Sequence, residues 1–505
     1  MKPRIWLFLA LLALTAARFQ SPGRIELTPD ESYHTLWCLH PDWCYYDAGP
    51  VIAMIIRAGT ELLGLNEFGI RFFSPIIALG SSLILFLLTR KLYGETVAVW
   101  TVAVMNILPV FQSGSLMMNP GGLSVCLLAS AMLTFWLALE RGPGFSIYWP
   151  VTGLLTGAGF LTEYTGALAL LSMALLLAST GKYRREFARP GFWVMLVFFI
   201  PFTIPVVRWN AQHEWITLLL WRGRFAMADI HVRGMLNWFS ECALSLSPLV
   251  FAGMLIAGWW GVKKARHQFK PRFLLFFSLP LLALGIFGSS SKPATMNSMM
   301  PAFAGLVILS AALWHEAAKA DKKRAIFAVL AVVTGIGFTI YDTGSACLRG
   351  DGLHPWKSAA IAIGETRKQL EQKTGKPVFL IGNNDRVASI VSFYLPEKRV
   401  EGPGHPPVYI PESQMIESQF SYWPRYDEFF AVAKDAPHPD AYYTLEEGVN
   451  PFMGRTALFV SDEVSAELPT AILNSFERIE PVPLNSDTLP VIRVFVCYNY
   501  RSLSL

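Results

Sequence analysis

Two short stretches of an otherwise apolar chain carry side chains able to move a proton. One reads Thr28-Pro29-Asp30-Glu31-Ser32-Tyr33-His34, the other Cys44-Tyr45-Tyr46-Asp47-Ala48-Gly49-Pro50. A carboxylate held at a membrane surface can serve as general base toward an incoming hydroxyl. Asp30, Glu31 and Asp47 are the candidates for that work. Asp30 and Glu31 also follow a proline, as acidic residues do at a helix start, where the helix dipole favours them. On the residues alone, the structural and the catalytic readings both stand.

The elements that must position these groups are mostly membrane spans. Of 505 residues 53% are hydrophobic and only 16% charged, whereas soluble chains carry about a quarter charged residues. Apolar runs fill the chain as far as Tyr341 and match the length a bilayer core requires. They predict about eleven helices, near 4–19, 68–89, 95–113, 120–139, 147–163, 165–180, 191–207, 235–260, 273–289, 299–316 and 325–341. The first also has the look of a signal peptide, with Lys2 and Arg4 before a short apolar stretch.

Lysine and arginine set the orientation. With a cytoplasmic N-terminus, Arg90-Lys91, Arg141, Lys182 to Arg185, Lys263 to Arg272 and Lys319 to Arg324 fall inside. The loop 20–67 and everything after the last span then fall outside. The expected fold is a polytopic α-helical membrane domain, residues 1–343, followed by an extracytoplasmic α/β domain, residues 344–505. Within the latter, Ser358–Lys376 has helical spacing, while 377–382 and 491–497 read as strands. The net charge of +5 is explained by topology and gives no ground for nucleic-acid binding. Cys38 with Cys44, and Cys347 with Cys497, could form disulfides outside the membrane, with buried thiols as the alternative. No His/Cys cluster has metal-ligand spacing. No cofactor is expected, and a divalent ion is left open.

Asp30-Glu31-Ser-Tyr33 followed by Tyr45-Tyr46-Asp47 and Pro50 resembles the first loop of the bacterial dolichyl-phosphate-mannose–protein mannosyltransferase-like family. That family includes the lipid A aminoarabinose transferases and belongs to the GT-C class of glycosyltransferases. The resemblance continues through Pro205-Val-Val-Arg208-Trp209-Asn210-Ala-Gln-His213-Glu-Trp215 and Lys292 to Pro301-Ala302. It extends over Trp356, Phe393-Tyr394-Leu395-Pro396 and Ser418-Gln419-Phe420-Ser421-Tyr422-Trp423, and so covers nearly the whole chain.

The resemblance implies transfer of a sugar from a polyprenyl-phosphate donor to a glycolipid, glycan or protein acceptor at the outer leaflet. Asp30 is then the expected base, with Glu31 and Asp47 beside it. Tyr46, Arg208, Asn210, His213 and Lys292 are the expected donor-binding set, since a departing phosphate needs cations and hydrogen-bond donors. Arg222 and Arg224 are further cations of this kind. The plainer reading of the arginines is an interfacial anchor, with Trp209, Trp215 and Trp221 as an aromatic belt.

Three positions depart from the family pattern. Ala48 stands where His or Lys is usual, Gly121 where Asp is usual, and Glu163 where Lys is usual. Glu163, a carboxylate near a membrane boundary, is a candidate functional residue in its own right. A ligase or polymerase acting on a lipid-linked glycan and a non-catalytic glycolipid-binding scaffold are the competing readings.

Overall fold

The computed structural model describes residues 3–20, 23, 25–142, 144, 146–224, 232–288, 296–348, 356–413, 415–428, 450–463, 468–482 and 492–501. Lys292 lies outside them, as do the side chains of Trp221, Arg224 and Cys347. The chain packs into two compact units. The first comprises residues 1–25 and 41–348, the second residues 26–40 and 349–505.

The first unit is entirely helical among its described residues. Among the described residues six helices are long and apolar enough to cross a membrane, and up to eight if two bent pairs are each one span. Helix Met296–Ala320 lies at its heart, with 83% of its apolar window buried, while Lys322–Ile340 at the periphery has 11% buried. Leu274, Phe277, Phe303, Val307 and Leu309 are fully or almost fully enclosed there. Many hydroxyls within the spans bond to carbonyls of their own helices, as apolar surroundings favour. Thr101 donates to the Val97 carbonyl, Ser130 to that of Cys126, and Thr152 to that of Tyr148.

Two apolar runs that read as single helices are broken. Residues 95–113 bend by 72° between Glu95–Ile107 and Pro109–Leu116. Residues 235–260 bend by 112° between Val232–Ser245 and Pro248–Ala265. In each case a proline opens the second helix, where its missing N–H is harmless. Ser247, just before Pro248, has φ +65°, a left-handed conformation no helix interior accepts.

The second unit is α/β. Its sheet contains β1 (Phe379–Gly382), β2 (Ala457–Ser461), β3 (Phe476–Val482) and β4 (Arg493–Tyr500), in the order β1-β2-β4-β3. β1 and β2 run parallel and the other pairs antiparallel. The two parallel strands are buried at every position, as strands covered on both faces are. β3 forms an edge and carries Glu477, Arg478, Glu480 and Pro481, which discourage further strand addition. Phe379, Tyr409, Tyr426, Phe452, Phe476 and Tyr500 make an aromatic core against the sheet. Cys497 is a buried thiol in β4.

Helix Pro29–Leu39, from the first loop of the sequence, belongs to this second unit and packs on helix Asp385–Tyr394. The Tyr394 hydroxyl accepts a hydrogen bond from the Leu27 N–H at 2.7 Å, and the Tyr33 hydroxyl accepts one from the Gln419 N–H at 2.9 Å. Tyr33 stacks on Phe420, with ring planes 8° apart, and His40 packs on Trp423. The motifs around 394 and 418–423 are thus the surface on which the first-loop helix is built.

Candidate functional site

Of the eight residues expected to act on substrate, Asp30 and Glu31 lie in the second unit, and Tyr46, Asp47, Arg208, Asn210 and His213 in the first. The eighth, Lys292, lies outside the described residues.

Asp30 and Glu31 open helix Pro29–Leu39 in different ways. Thr28 caps the helix: its hydroxyl accepts from the Glu31 N–H at 3.3 Å, while a Glu31 carboxylate oxygen accepts from the Thr28 N–H at 3.0 Å. This reciprocal capping box satisfies two donors that a helix start leaves unpaired. Glu31 is 1% exposed. Asp30 keeps 44% of its side chain exposed, and its carboxylate lies 3.4 Å from the Arg386 guanidinium. Below them, burial drives the pKa of His34 down to about 4 against the pull of Asp30 and Glu31. Its Nδ1 is enclosed without a hydrogen-bond partner among the described residues. Burial also raises the pKa of Asp385, beside Arg386.

In the first unit, residues 42–49 are clasped against 208–217. The Trp209 indole N–H donates to the Asp42 carboxylate at 3.0 Å. The other Asp42 oxygen accepts from the Trp43 N–H at 2.6 Å. Tyr45 N–H closes the turn on the Ala48 carbonyl, and the Tyr164 hydroxyl donates to the Tyr45 carbonyl at 3.3 Å. Gly49 is required by space, because a Cβ there would meet the Leu161 carbonyl oxygen at 2.3 Å. Burial lifts the Cys44 thiol to about 12, so it is no nucleophile. Tyr46 is buried, while Asp47 reaches the surface.

The facing segment is rigid for local reasons. Glu214 and Trp215 both have positive φ, at 53° and 58°. Asn210 stabilises that turn: its amide donates to the Val206 carbonyl and accepts from the Thr217 N–H. Its polar atoms therefore hold backbone. His213 stacks on Trp209 at 4.1 Å, with Nδ1 2.7 Å from the Trp209 carbonyl oxygen. A carbonyl can only accept, so Nδ1 is the donor in that contact. Arg208 is exposed, with its guanidinium 5.0 Å from the Trp43 ring centroid. Trp209 is fully buried, which removes it from any interfacial aromatic belt, whereas Trp215 is 45% exposed.

The three departures are also placed. Ala48 is buried in the 42–49 turn. Gly121 lies in the first turn of helix Pro120–Glu140, which Asn119 caps through the Gly122 N–H. Glu163 caps the end of helix Tyr148–Thr162, is 8% exposed, and accepts hydrogen bonds from Ser124 and Ser298. The sequence reading did not single out Asp42, Tyr164 or Arg386. Asp42 sits in the polar loop, and Arg386 follows the Asn384 cap of its helix. Neither signal names the distant partner. Among the described residues no group of three His, Cys, Asp or Glu side chains could hold a metal ion.

A bundle of apolar helices with a small α/β unit defines a multi-pass membrane protein. Its residues 47–209, from the exposed carboxylate to the buried indole of the clasp, match the family model of dolichyl-phosphate-mannose-protein mannosyltransferases. The lipid A galacturonosyltransferase RgtD of Rhizobium johnstonii is 25% identical over 375 residues, 72% of this chain and 76% of that one. An undecaprenyl phosphate-alpha-4-amino-4-deoxy-L-arabinose arabinosyl transferase of Sodalis glossinidius is 27% identical over 61% of this chain. The chain spans just over half, 55%, of that relative's length. The crystal structure of ArnT from Cupriavidus metallidurans in the apo state shares the fold, with a TM-score of 0.61, 98% coverage of both chains and 16% identity. The form bound to undecaprenyl phosphate gives 0.60. The chain is thus similar to these membrane glycosyltransferases in sequence and shares the fold of ArnT.

Proposed function

We propose that the protein transfers one sugar from a polyprenyl-phosphate donor to an envelope acceptor, a reading supported by relatives of which one is named for lipid A and others for an undecaprenyl phosphate-linked sugar. The observation that carries this reading is the 42–49 clasp. It presents Asp47, Arg208 and the His213 ring on one frame, and Asp47 and Arg208 fall at the two ends of the stretch that matches the mannosyltransferase family model. In this reading Arg208, His213 and Lys292 meet the donor phosphate and stabilise it as it leaves. Tyr46 and Asn210 hold that frame. Asp30 removes or orients the acceptor proton, and Glu31 fixes the helix turn that presents it. Asp47 is the second exposed carboxylate.

The proposed topology has eleven spans, a cytoplasmic N-terminus, and an extracytoplasmic unit after residue 343. Cysteine substitutions at Lys182 and Arg478 with a membrane-impermeant thiol reagent test it: labelling at 478 alone in intact cells is expected. No cofactor is assigned, so transfer that survives EDTA is the expected result. Mass spectrometry of envelope glycolipids with and without the gene tests the function itself. A difference of one sugar residue on lipid A supports it. A change of whole glycan chains would favour a ligase, and identical glycolipids and secreted proteins would favour a scaffold.

A further inference from the structure

Away from these residues, the first unit contains a cavity of about 310 Å³. Its walls come from helices Glu95–Ile107, Pro248–Ala265, Met296–Ala320 and Lys322–Leu348. The described residues that line it are apolar except for Ser310 and His315, with Trp100, Met254, Trp314 and Val332 prominent. Trp314 is a fixed shelf: its indole N–H donates to the Gly253 carbonyl at 2.9 Å, and its ring stacks on Phe327 at 4.9 Å. Ser310 is 8% exposed, and its hydroxyl oxygen has no hydrogen-bond partner among the described residues. An apolar void of this kind does not hold ordered water. An unsatisfied buried hydroxyl in its wall calls for one polar atom on an otherwise apolar occupant.

The charge at one end of the cavity says which occupant. Past His315 and Ala318, the next turns carry Lys319, Lys322 and Lys323, all exposed. The neighbouring acids are engaged, Glu316 with Lys264 at 2.6 Å and Asp321 with Arg324 at 3.6 Å. Among the described residues none of the three lysines forms an ion pair. Helix Lys322–Ile340 is scarcely buried by the protein, so lipid must cover its remaining face.

We propose that this cavity holds an acyl chain of an anionic phospholipid, with the headgroup on Lys319, Lys322 and Lys323. The bound lipid wedges the peripheral helix Lys322–Leu348 against the bundle. Ser310 donates to a polar oxygen of the same lipid. The site lies apart from the residues proposed for sugar transfer and does not depend on that assignment.

Native mass spectrometry of the purified full-length protein tests this, with dioleoyl phosphatidylglycerol, dioleoyl phosphatidylcholine and undecaprenyl phosphate as probes. Retention of phosphatidylglycerol over phosphatidylcholine by about tenfold or more is expected. The surface variant Lys319→Ser/Lys322→Ser/Lys323→Ser should reduce that preference to near unity without loss of folding. Ala328→Trp, which fills the cavity, should lower retention of both phospholipids. Equal retention by the wild type, or an undiminished preference in the triple variant, would overturn the proposal. Displacement of phosphatidylglycerol by equimolar undecaprenyl phosphate would assign the cavity to a polyprenyl chain instead.

Discussion

The two loops that bear the candidate carboxylates are built on the same division of labour with different materials. At the start of helix Pro29–Leu39, Glu31 is buried in a capping box and Asp30 projects. In the 42–49 clasp, Asp42 anchors the Trp209 indole and Asp47 projects. One acid in each pair fixes the frame, Glu31 from a buried position and Asp42 from an exposed one, while Asp30 and Asp47 also reach the surface. The frames differ in strength. The first is a local turn, completed within three residues. The second joins segments 167 residues apart through a wholly enclosed tryptophan. A local cap stabilises little but positions well. A long-range clasp around a buried ring stabilises far more, and its loss displaces everything attached to it.

The largest effect should come from breaking the clasp. Trp209→Ala removes a fully buried indole and should destabilise the protein by about 3–5 kcal/mol, read as loss of cooperative melting in detergent. Asp42→Asn should be much milder, because an amide oxygen can still accept from the indole. Equal effects would show that the Asp42 charge, rather than the buried ring, holds the loop.

Next comes a pH effect confined to the second unit. His34 has a folded pKa of about 4, against roughly 6.5 in an unfolded chain. The unfolded state therefore binds the proton more tightly. Stability is at its full value above about pH 6.5 and falls as the pH drops toward 4. The ring retains some surface, so the loss should be on the order of 1–2 kcal/mol. His34→Gln should flatten that slope between pH 4 and 6.5. An unchanged slope would place the titrating group elsewhere.

The smallest effects separate the two acids of the first loop. Glu31→Ala should cost about 1 kcal/mol through the lost cap. Arg386→Ala breaks an exposed ion pair and should change stability by less than about 0.5 kcal/mol. A larger loss for Arg386 than for Glu31 would reverse the assignment of which acid is structural.

The sequence was most legible where one segment decides its own structure. The apolar runs became helices because each satisfies its backbone internally. Asp30 and Glu31 were readable as a helix start, and that start is present. Segments 358–376, 377–382 and 491–497 are seen as helix Trp356–Thr374, β1 and β4. What depends on a distant partner was not legible. β2 and β3, the mixed strand order, and the docking of helix Pro29–Leu39 on Asp385–Tyr394 are set by tertiary pairing. The bend before Pro248 hides in an unbroken apolar stretch, although the proline itself marks it. Asn210 carried a motif yet serves the backbone turn, while Asp42 carried no motif and holds Trp209.

The central claim is that Asp30 is the acid that acts on the acceptor, while Asp42 and Glu31 support structure. The direct test is sugar transfer from an undecaprenyl-phosphate-linked donor to lipid A by purified Asp30→Asn and wild-type protein, with each variant's melting recorded. The account predicts an Asp30→Asn protein that melts like the wild type and transfers sugar at least about a hundredfold more slowly. Undiminished transfer by Asp30→Asn would contradict it.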